Sequence, residues 1–188
     1  MAKAVLWFLV AAGLCAFAQR VTAEPATVTV VGPKVRTVII IGEQPRYQYP
    51  YWGGHAIVQR NLLLITRDAD GRGGINVPIV QEKDLRGKDL DAAYDFRIWV
   101  GDQPRVQEIL GPALTKLDDD GFILRCTGRD LYLCGKHKWG THWAAYDLFE
   151  RYAGCRWYME GGVRFWMPKE DGMIGLGDVI PRRERWEI

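Results

Sequence analysis

Residues Gly121 to Lys136 form two short apolar segments on either side of a turn, and this pattern constrains the fold more than any other in the chain. The segments GFILRC and LYLCGK flank the turn TGRD, which is typical of two antiparallel strands in a hairpin. Pairing across the turn sets Leu131 opposite Cys126 and Cys134 opposite Ile123. We therefore predict a hairpin in which Cys126 and Cys134 lie on opposite faces and do not form a disulfide.

The residues after this hairpin read as one helix with an apolar stripe. Thr141 suits the N-cap position, and Gly154 suits the position just past the end of the helix. The CRWYME segment that follows reads as a returning strand. Between the caps, apolar positions recur at intervals of three and four residues, which favours a helix over a strand. The stripe comprises Ala145, Leu148, Phe149 and Tyr152.

The chain before the hairpin contains further strand-like and helix-like segments. ATVTVVGPKVRTVIII reads as two strands around a Gly-Pro turn. The next segment, AIVQRNLLLITRDADG, favours a helix because its apolar residues are spaced three and four apart. INVPIV reads as a short buried strand. QPRVQEIL reads as a short helix, with Asp102 near its N-cap and Gly111 past its end.

The segment YDFRIWVG has the period of a half-buried strand. Phe96, Ile98 and Val100 share one face, and Arg97 and Trp99 share the other. Strands, a few helices and a hairpin together indicate an α+β domain. We predict a mostly antiparallel sheet with helices packed on one face.

The first 23 residues read as a signal peptide. Lys3 supplies a positive charge, residues 4–18 are largely apolar, and small residues follow at a spacing suited to cleavage. A membrane anchor is the alternative, but the apolar run is short for a bilayer span. We expect an exported protein, periplasmic or extracellular, with a domain over residues 24–170 and no membrane attachment after cleavage.

The charges nearly balance, because 25 Lys and Arg residues stand against 23 Asp and Glu residues. No strong electrostatic field is therefore expected, and nothing favours nucleic acid as a partner. Eight Trp and eight Tyr residues are many for a chain of 188. They suit either a ring-rich core or a surface that stacks on sugars, and composition leaves both open.

Glycoside hydrolysis normally needs two carboxylates about 5 to 10 Å apart, one of them in an enclosed site. The candidates are Asp147 and Glu150 on the predicted helix, residues 118–120 and Glu160. Asp147 and Glu150 lie beside the apolar stripe, where a solvated flank that includes Arg151 is the simpler interpretation. We assign no catalytic residue in this chain.

Cys134, His137 and His142 have side chains that zinc accepts as ligands, with the spacing C-x2-H-x4-H. Cys134 lies on a predicted strand and His142 in the predicted helix, and no fourth ligand is evident. The same residues would serve a thiol hydrolase, but nothing marks Cys134 or Cys155 as activated. We predict packing cysteines, no metal and no cofactor, and keep a small metal-dependent or thiol hydrolase as an alternative.

A ring-rich loop, YQYPYWGGH, precedes the first predicted helix. Its rings would form either a flat platform for the face of a sugar or a cap that packs on the sheet. The candidate binding residues are Tyr47, Tyr49, Tyr51 and Trp52.

The stretch DGFILRCTGRDLYLCGKHKWGTHWAAYDLFERYAGCRWY combines a GF-x-I strand, an L-x-L-x-G strand, a Gly-Thr pair and a helix that ends at glycine. It resembles the non-catalytic N-terminal domain of α-glucuronidases and β-hexosaminidases, which is chitobiase domain 2-like. The helix core YDFLE of that family reads YDLFE here, at residues 146–150, so Leu and Phe are exchanged. The resemblance covers residues 35–170 and is specific over residues 121–158.

The resemblance implies an accessory, non-catalytic domain of an exported glycoside hydrolase, whose catalytic acids lie in a following (β/α)₈ barrel. Such a barrel takes about 250 residues, so it would belong to a longer form of this chain or be missing, with residues 171–188 as the linker toward it. A stand-alone carbohydrate-binding module is the alternative. The residues expected to pack against the sheet or the barrel are Trp143, Tyr146, Leu148, Phe149, Tyr152 and Trp157.

Overall fold

Strands and helices are interspersed along the chain. The computed structural model describes residues 27–42, 53–68, 70–156, 166–169, 172–175, 183 and 186–188, and the predicted signal peptide lies outside them. The helices within these residues are α1 (Gly54–Ile65), α2 (Leu90–Ala93), α3 (Pro104–Leu114) and α4 (Lys138–Ala153), with a short 3₁₀ helix at Glu82–Leu85. The strands are β1 (Thr29–Val31), β2 (Thr37–Ile41), β3 (Ile79–Gln81), β4 (Phe96–Val100), β5 (Phe122–Thr127), β6 (Asp130–Gly135), β7 (Trp166–Lys169), β8 (Gly172–Gly175) and β9 (Trp186–Glu187).

Five strands form the central sheet, in the order β3-β2-β4-β6-β5. β2 is parallel to β3 and β4, β4 is parallel to β6, and β5 runs antiparallel to β6. The prediction of a mostly antiparallel sheet is therefore wrong. A helical connection such as α1, between β2 and β3, returns the chain to the edge of the sheet where it started, so the next strand runs parallel.

Helices cover both faces of this sheet, so the prediction of helices on one face is also wrong. On one face α1 and α4 pack against alternate strand residues such as Ile39, Ile98 and Leu133. On the other face α3 packs against intervening residues such as Ile40 and Tyr132. Strands that are covered on both sides are apolar at nearly every position rather than at alternate ones.

β4 shows the consequence of this double cover. All five of its residues are buried, including Arg97 and Trp99, which were predicted to lie on the opposite face of a half-buried strand. Arg97 is 8% exposed and Trp99 is 4% exposed. A buried guanidinium is stable only with acceptors around it, so the fold must place acidic groups near the start of β4.

The hairpin of β5 and β6 has the predicted register. Leu131 pairs with Cys126, and Cys134 pairs with Ile123. Cys134 is buried on the face that α3 covers, whereas Cys126 is exposed. Both are free thiols, which confirms the prediction that they are not joined.

Helix α4 ends where the sequence predicts but begins earlier. Gly154 follows its last turn with a φ of 73°, a left-handed conformation that favours glycine. The N-cap is His137, not the predicted Thr141. Thr141 Oγ1 instead accepts a hydrogen bond of 3.0 Å from the backbone N–H of Gly135. This bond ties the first turns of α4 to the end of β6.

Helices α1 and α3 form where the sequence predicts them. The apolar positions that predicted α1 are fully buried. Helix α3 continues through Gly111 to Leu114, and its N-cap is Gln103, next to the predicted Asp102. Leu114 is buried against the sheet, so packing extends the helix beyond the point where local propensity would end it.

Parts of the predicted linker, residues 171–188, form strands. β8 pairs with β7, and β9 pairs with β1. Ile188 and Val28 exchange two backbone hydrogen bonds of 2.8 and 2.9 Å, and Arg183 N donates to the Ile65 carbonyl at 2.7 Å. The described helices include none that is both long and apolar enough to span a membrane.

Candidate functional site

A polar groove of about 500 Å³ opens on the sheet face that α3 covers. It lies between the start of α3 and the connection over residues 82–91, and β4 and β6 contribute to its lining. Eight of its eleven lining residues are charged. We call this feature the polar groove.

The floor of the polar groove is a network of ion pairs around Arg97. Arg97 and Asp130 are paired neighbours at the start of β4 and β6. Arg97 Nε and Nη2 each donate to the Asp130 carboxylate at 2.7 Å, and Arg97 Nη1 donates to Asp91 Oδ1 at 2.6 Å. Asp130 also accepts a hydrogen bond of 2.6 Å from Trp99 Nε1. The buried guanidinium therefore uses all three of its nitrogens.

This network favours the charged forms of Arg97 and Asp91. Burial works against the charge of Arg97, but its hydrogen bonds to Asp130 and Asp91 outweigh burial and raise the pKa of Arg97 above its usual value. The hydrogen bond from Arg97 lowers the pKa of Asp91. The arrangement is therefore a permanent ion-pair network rather than an acid–base pair poised to transfer protons.

Two aromatic rings lie beneath the network. Trp99 and Tyr132 stack with ring centroids 6.2 Å apart and planes at 14°. Burial, followed by the nearby Asp130 carboxylate, raises the pKa of the Tyr132 phenol, which stays neutral. Both rings are almost completely buried, so they support the floor and do not present a face on which a sugar could stack.

The remaining acids of the polar groove also have partners. Glu82 Oε1 accepts a hydrogen bond of 3.0 Å from the backbone N–H of Arg105. Asp89 caps α2 by accepting from the N–H groups of Asp91 and Ala92, at 3.0 and 3.1 Å. These bonds fix the connection over residues 82–91 against α3 and β4. The groove is therefore built from backbone and side-chain groups that are already held in place.

The polar groove does not follow from the sequence alone. Much of its lining comes from the charged segment QEKDLRGKDLDAA, for which the sequence predicts no strand or helix. The one available signal was Arg97, an arginine inside an apolar strand, because such a residue requires acidic partners from other segments. Which acids would supply them depends on strand order, and the sequence does not show strand order.

A second feature is a row of rings along α4, partly exposed and partly buried, which we call the aromatic stripe: Trp139, His142, Trp143 and Tyr146. Trp139 is 56% exposed and Trp143 is 36% exposed. The His142 ring lies 5.5 Å from Trp139 and 6.5 Å from Tyr146, measured between centroids. Positions spaced three and four apart lie on one side of a helix, so these rings form one surface.

The aromatic stripe contains a histidine that is held neutral. Burial lowers the pKa of His142. Burial, and to a lesser extent the charge of His142, lowers the pKa of the buried His55 in the first turn of α1. Both imidazoles are therefore predominantly uncharged at neutral pH.

The residues predicted to pack between domains divide into two groups. Leu148 and Phe149 are fully buried against the sheet, and Tyr146 is half-buried beside them. Trp143 and Tyr152 remain exposed, the latter by 47%. Trp139, which was not predicted, is more exposed than either. Trp157 lies outside the described residues.

The predicted sugar platform of Tyr47, Tyr49, Tyr51 and Trp52 lies outside the described residues. The described segment that follows it begins at Gly53, at the N-cap of α1. A Cβ atom on Gly54 would lie 3.0 Å from Thr141 in α4. The start of α1 and the first turns of α4 are therefore in close contact.

The residues considered for a metal or thiol site do not form one. Burial, and to a lesser extent Asp102, raises the pKa of the Cys134 thiol to about 12, so Cys134 is a packing residue as predicted. His137 is exposed at the start of α4, and His142 belongs to the aromatic stripe. Among the described residues no three His, Cys, Asp or Glu side chains are grouped to hold a metal ion.

The described carboxylates that were considered for catalysis lie on α4 and in the turn before β5. Asp147 Oδ1 pairs with Arg151 at 3.0 Å along α4, and Glu150 is exposed. Asp119 pairs with Lys136 at 3.2 Å, in an exposed turn beside the end of β6. Glu160 lies outside the described residues. Among the described candidates only Asp147 is not exposed, so no two of them share an enclosed site of the kind that glycoside hydrolysis requires.

Two comparisons with known proteins give no relative. No protein-family model matches this sequence, and no curated protein matches it.

Proposed function

We propose that this chain is an accessory, non-catalytic domain of an exported glycoside hydrolase, and that the aromatic stripe on α4 is the surface that docks on the catalytic domain. The catalytic domain would be a barrel, supplied by a longer form of the same chain or by another chain. The alternative is a stand-alone carbohydrate-binding module.

The observation that carries this proposal is the exposure of two tryptophans on a helix that is otherwise well packed. The inner side of α4 is buried through Leu148 and Phe149, whereas Trp139 and Trp143 expose 56% and 36% of their surface. Large exposed indoles on a fixed helix are typical of protein interfaces, where tryptophan contributes a large share of the binding energy. The helix thus has one side for its own core and a second side suited to a partner.

Two further features support the proposal. The stripe belongs to the segment, residues 121–158, that resembles the accessory domain of α-glucuronidases and β-hexosaminidases, so the likeness and the exposed rings coincide. The described carboxylates that were considered for catalysis are paired with a basic group or exposed, which agrees with a domain whose partner holds the catalytic acids.

The test begins with the coding DNA beyond the Ile188 codon and with the neighbouring genes. We expect a segment of barrel length that encodes a glycoside hydrolase. Co-expression of that segment with this domain should give a complex, and the double variant Trp139→Ser/Trp143→Ser should weaken it by at least about tenfold. A matched control is Lys34→Ser/Lys116→Ser, which changes two exposed residues away from α4 and should leave the complex unchanged.

Two results would contradict docking through the stripe. One is a complex that forms equally well with Trp139→Ser/Trp143→Ser. The other is the absence of any such coding segment together with saturable binding of an oligosaccharide, followed by tryptophan fluorescence. The second result would establish the binding-module alternative.

A further inference from the structure

We propose that the polar groove is a binding site for a small hydrophilic anion, which Arg86 and Lys88 would hold through its carboxylate, sulfate or phosphate oxygens. The groove lies on the sheet face covered by α3, whereas the aromatic stripe belongs to α4 on the other face. The site is therefore separate from the docking surface, and neither proposal depends on the other.

The four acidic residues that line the groove all have hydrogen-bond partners. Asp91 and Asp130 are bonded to Arg97, Asp89 caps α2, and Glu82 accepts from the backbone of Arg105. Each of these four carboxylates thus already accepts a hydrogen bond from a group within the domain. A cationic ligand would have to compete with these existing bonds.

Two of the four basic residues that line the groove also have partners. The guanidinium of Arg97 is bonded to Asp130 and Asp91, and Arg105 Nη1 pairs with Glu108 at 2.7 Å. Arg86 and Lys88 are exposed on the rim, and among the described residues their side chains form neither a hydrogen bond nor an ion pair. The four acidic and four basic residues of the lining give no net formal charge. The charges that remain available to a ligand are therefore the positive charges of these two residues.

The backbone that carries Arg86 and Lys88 is held in place by the fold. Gly87, between them, has a φ of 76°, so the chain turns there in a conformation that favours glycine. The N–H of Lys88 donates to the carbonyl of Leu85 at 3.0 Å, and Leu85 is buried against the sheet. The two cationic side chains therefore extend from one anchored turn, which limits the entropy lost when they close on a ligand.

The chemical class of the ligand follows from the lining. With eight charged residues among eleven, the groove suits a ligand that is polar over most of its surface. The buried state of Trp99 removes an aromatic face as the main contact. A guanidinium pairs with carboxylate, sulfate or phosphate through two parallel hydrogen bonds, and an ammonium adds a point charge. A volume of about 500 Å³ accommodates a small molecule rather than a folded partner.

The experiment is a titration followed by two-dimensional ¹H–¹⁵N NMR at low ionic strength, because exposed charges are screened by salt. The probes are inorganic phosphate and succinate, each added up to about 20 mM, a range that detects millimolar affinity. We expect saturable shifts of the backbone signals of residues 86–89 and of the Trp99 indole N–H. The double variant Arg86→Ala/Lys88→Ala should bind at least about tenfold more weakly.

The control variant is Lys34→Ala/Lys116→Ala, which removes the same charge from exposed positions outside the groove and should bind as the unmodified protein does. Saturation by phosphate alone would identify a phosphate or sulfate ligand, and saturation by both probes a site for anionic oxygen in general; both outcomes support the proposal. Linear shifts with both probes, or equal affinity in Arg86→Ala/Lys88→Ala, would overturn it. The spectra also report whether each variant is folded.

Discussion

At the scale of single residues, Arg97 joins three elements of the domain. It lies in β4, binds Asp130 in β6 through two nitrogens and reaches Asp91 in α2 through the third. Without the guanidinium, the mostly buried Asp130 carboxylate would keep the Trp99 N–H as its donor from this network. A buried charge deprived of its partner is among the costliest defects in a protein interior.

We therefore expect Arg97→Met to lower the free energy of unfolding by about 3 kcal/mol, measured by urea denaturation. Adding Asp130→Asn should restore part of the loss, because the uncompensated charge is then removed as well. A control is Arg36→Met, which breaks the exposed ion pair with Asp95 and should have a much smaller effect. Equal losses for Arg97→Met and Arg36→Met would show that the network does not contribute as the structure implies.

At the scale of elements, α4 carries two kinds of surface within seven residues. Phe149 is fully buried against the sheet, whereas Trp143, almost two turns earlier, is exposed. Burial of a large aromatic ring contributes to folding, and exposure of one contributes little unless a partner covers it.

For the isolated domain we expect Phe149→Ala to reduce stability by about 3 to 5 kcal/mol, because it removes buried surface and leaves a cavity. Trp143→Ala should cost less than about 1 kcal/mol. Thermal or urea unfolding, followed by circular dichroism, measures both. If Trp143→Ala proved as damaging as Phe149→Ala, the ring would belong to the core and the docking proposal would lose its basis.

Two glycines, one just past the end of α4 and one inside α3, predict opposite effects of the same substitution. Gly154 ends α4 at a φ of 73°, so Gly154→Ala should destabilise by about 1 kcal/mol. Gly111 lies inside α3, where an added Cβ would meet only the flexible end of the Gln107 side chain, at 3.1 Å. Gly111→Ala should therefore be neutral or stabilise by up to about 1 kcal/mol. Differential scanning calorimetry of the two variants tests the signs, and equal signs would contradict the assignment of the two conformations.

At the scale of the whole molecule, surface ion pairs link segments that are distant in sequence and make stability depend on pH. The side chain of Arg36 in the segment before β2 donates hydrogen bonds to Asp95, before β4, and lowers its pKa from 3.8 to about 2. A carboxyl whose pKa is lower in the folded state stabilises fully above the unfolded value. That contribution is lost as the pH falls through 3.8 toward 2.

We expect the urea midpoint to decline as the pH falls from about 5 to about 2, and Asp95→Asn to make the decline shallower. Hydrogen bonds that lower the pKa values of Asp91 and Asp119 should maintain the rest of the slope. Asp120→Asn is a control, since Asp120 is exposed and forms no ion pair with a described residue. A slope that Asp95→Asn leaves unchanged would mean that the pair with Arg36 does not persist in solution.

Most of the larger elements could be predicted, because each depends on residues close together in the chain, whereas α2, the 3₁₀ helix and the strands of residues 171–188 were not. The register of the β5–β6 hairpin followed from the turn and the alternation around it, and the end of α4 followed from Gly154. The start of α4 could not be predicted. Thr141 has the side chain of an N-cap, but its hydroxyl is bonded to Gly135 at the end of β6, a contact that the tertiary fold supplies.

The polar groove could not be predicted either, although its residues are visible in the sequence. Arg97, Asp91 and Asp130 are separated by up to 39 positions and meet only because β4 and β6 are neighbours in a parallel sheet. The alternation of residues from Phe96 to Val100 fits a strand that faces solvent on one side. It fits equally well a strand that is covered on both sides. Burial of Arg97 decided between them.

By itself, the sequence determined α1, α3, the end of α4 and the β5–β6 hairpin with its register, because these depend on local periodicity and backbone preference. Only the tertiary structure decided the direction of the strands, the cover of both sheet faces, and the exposure of Trp139 and Trp143 beside a buried Phe149. Those features depend on which distant segments pack together, and many arrangements of the same elements bury the same apolar residues.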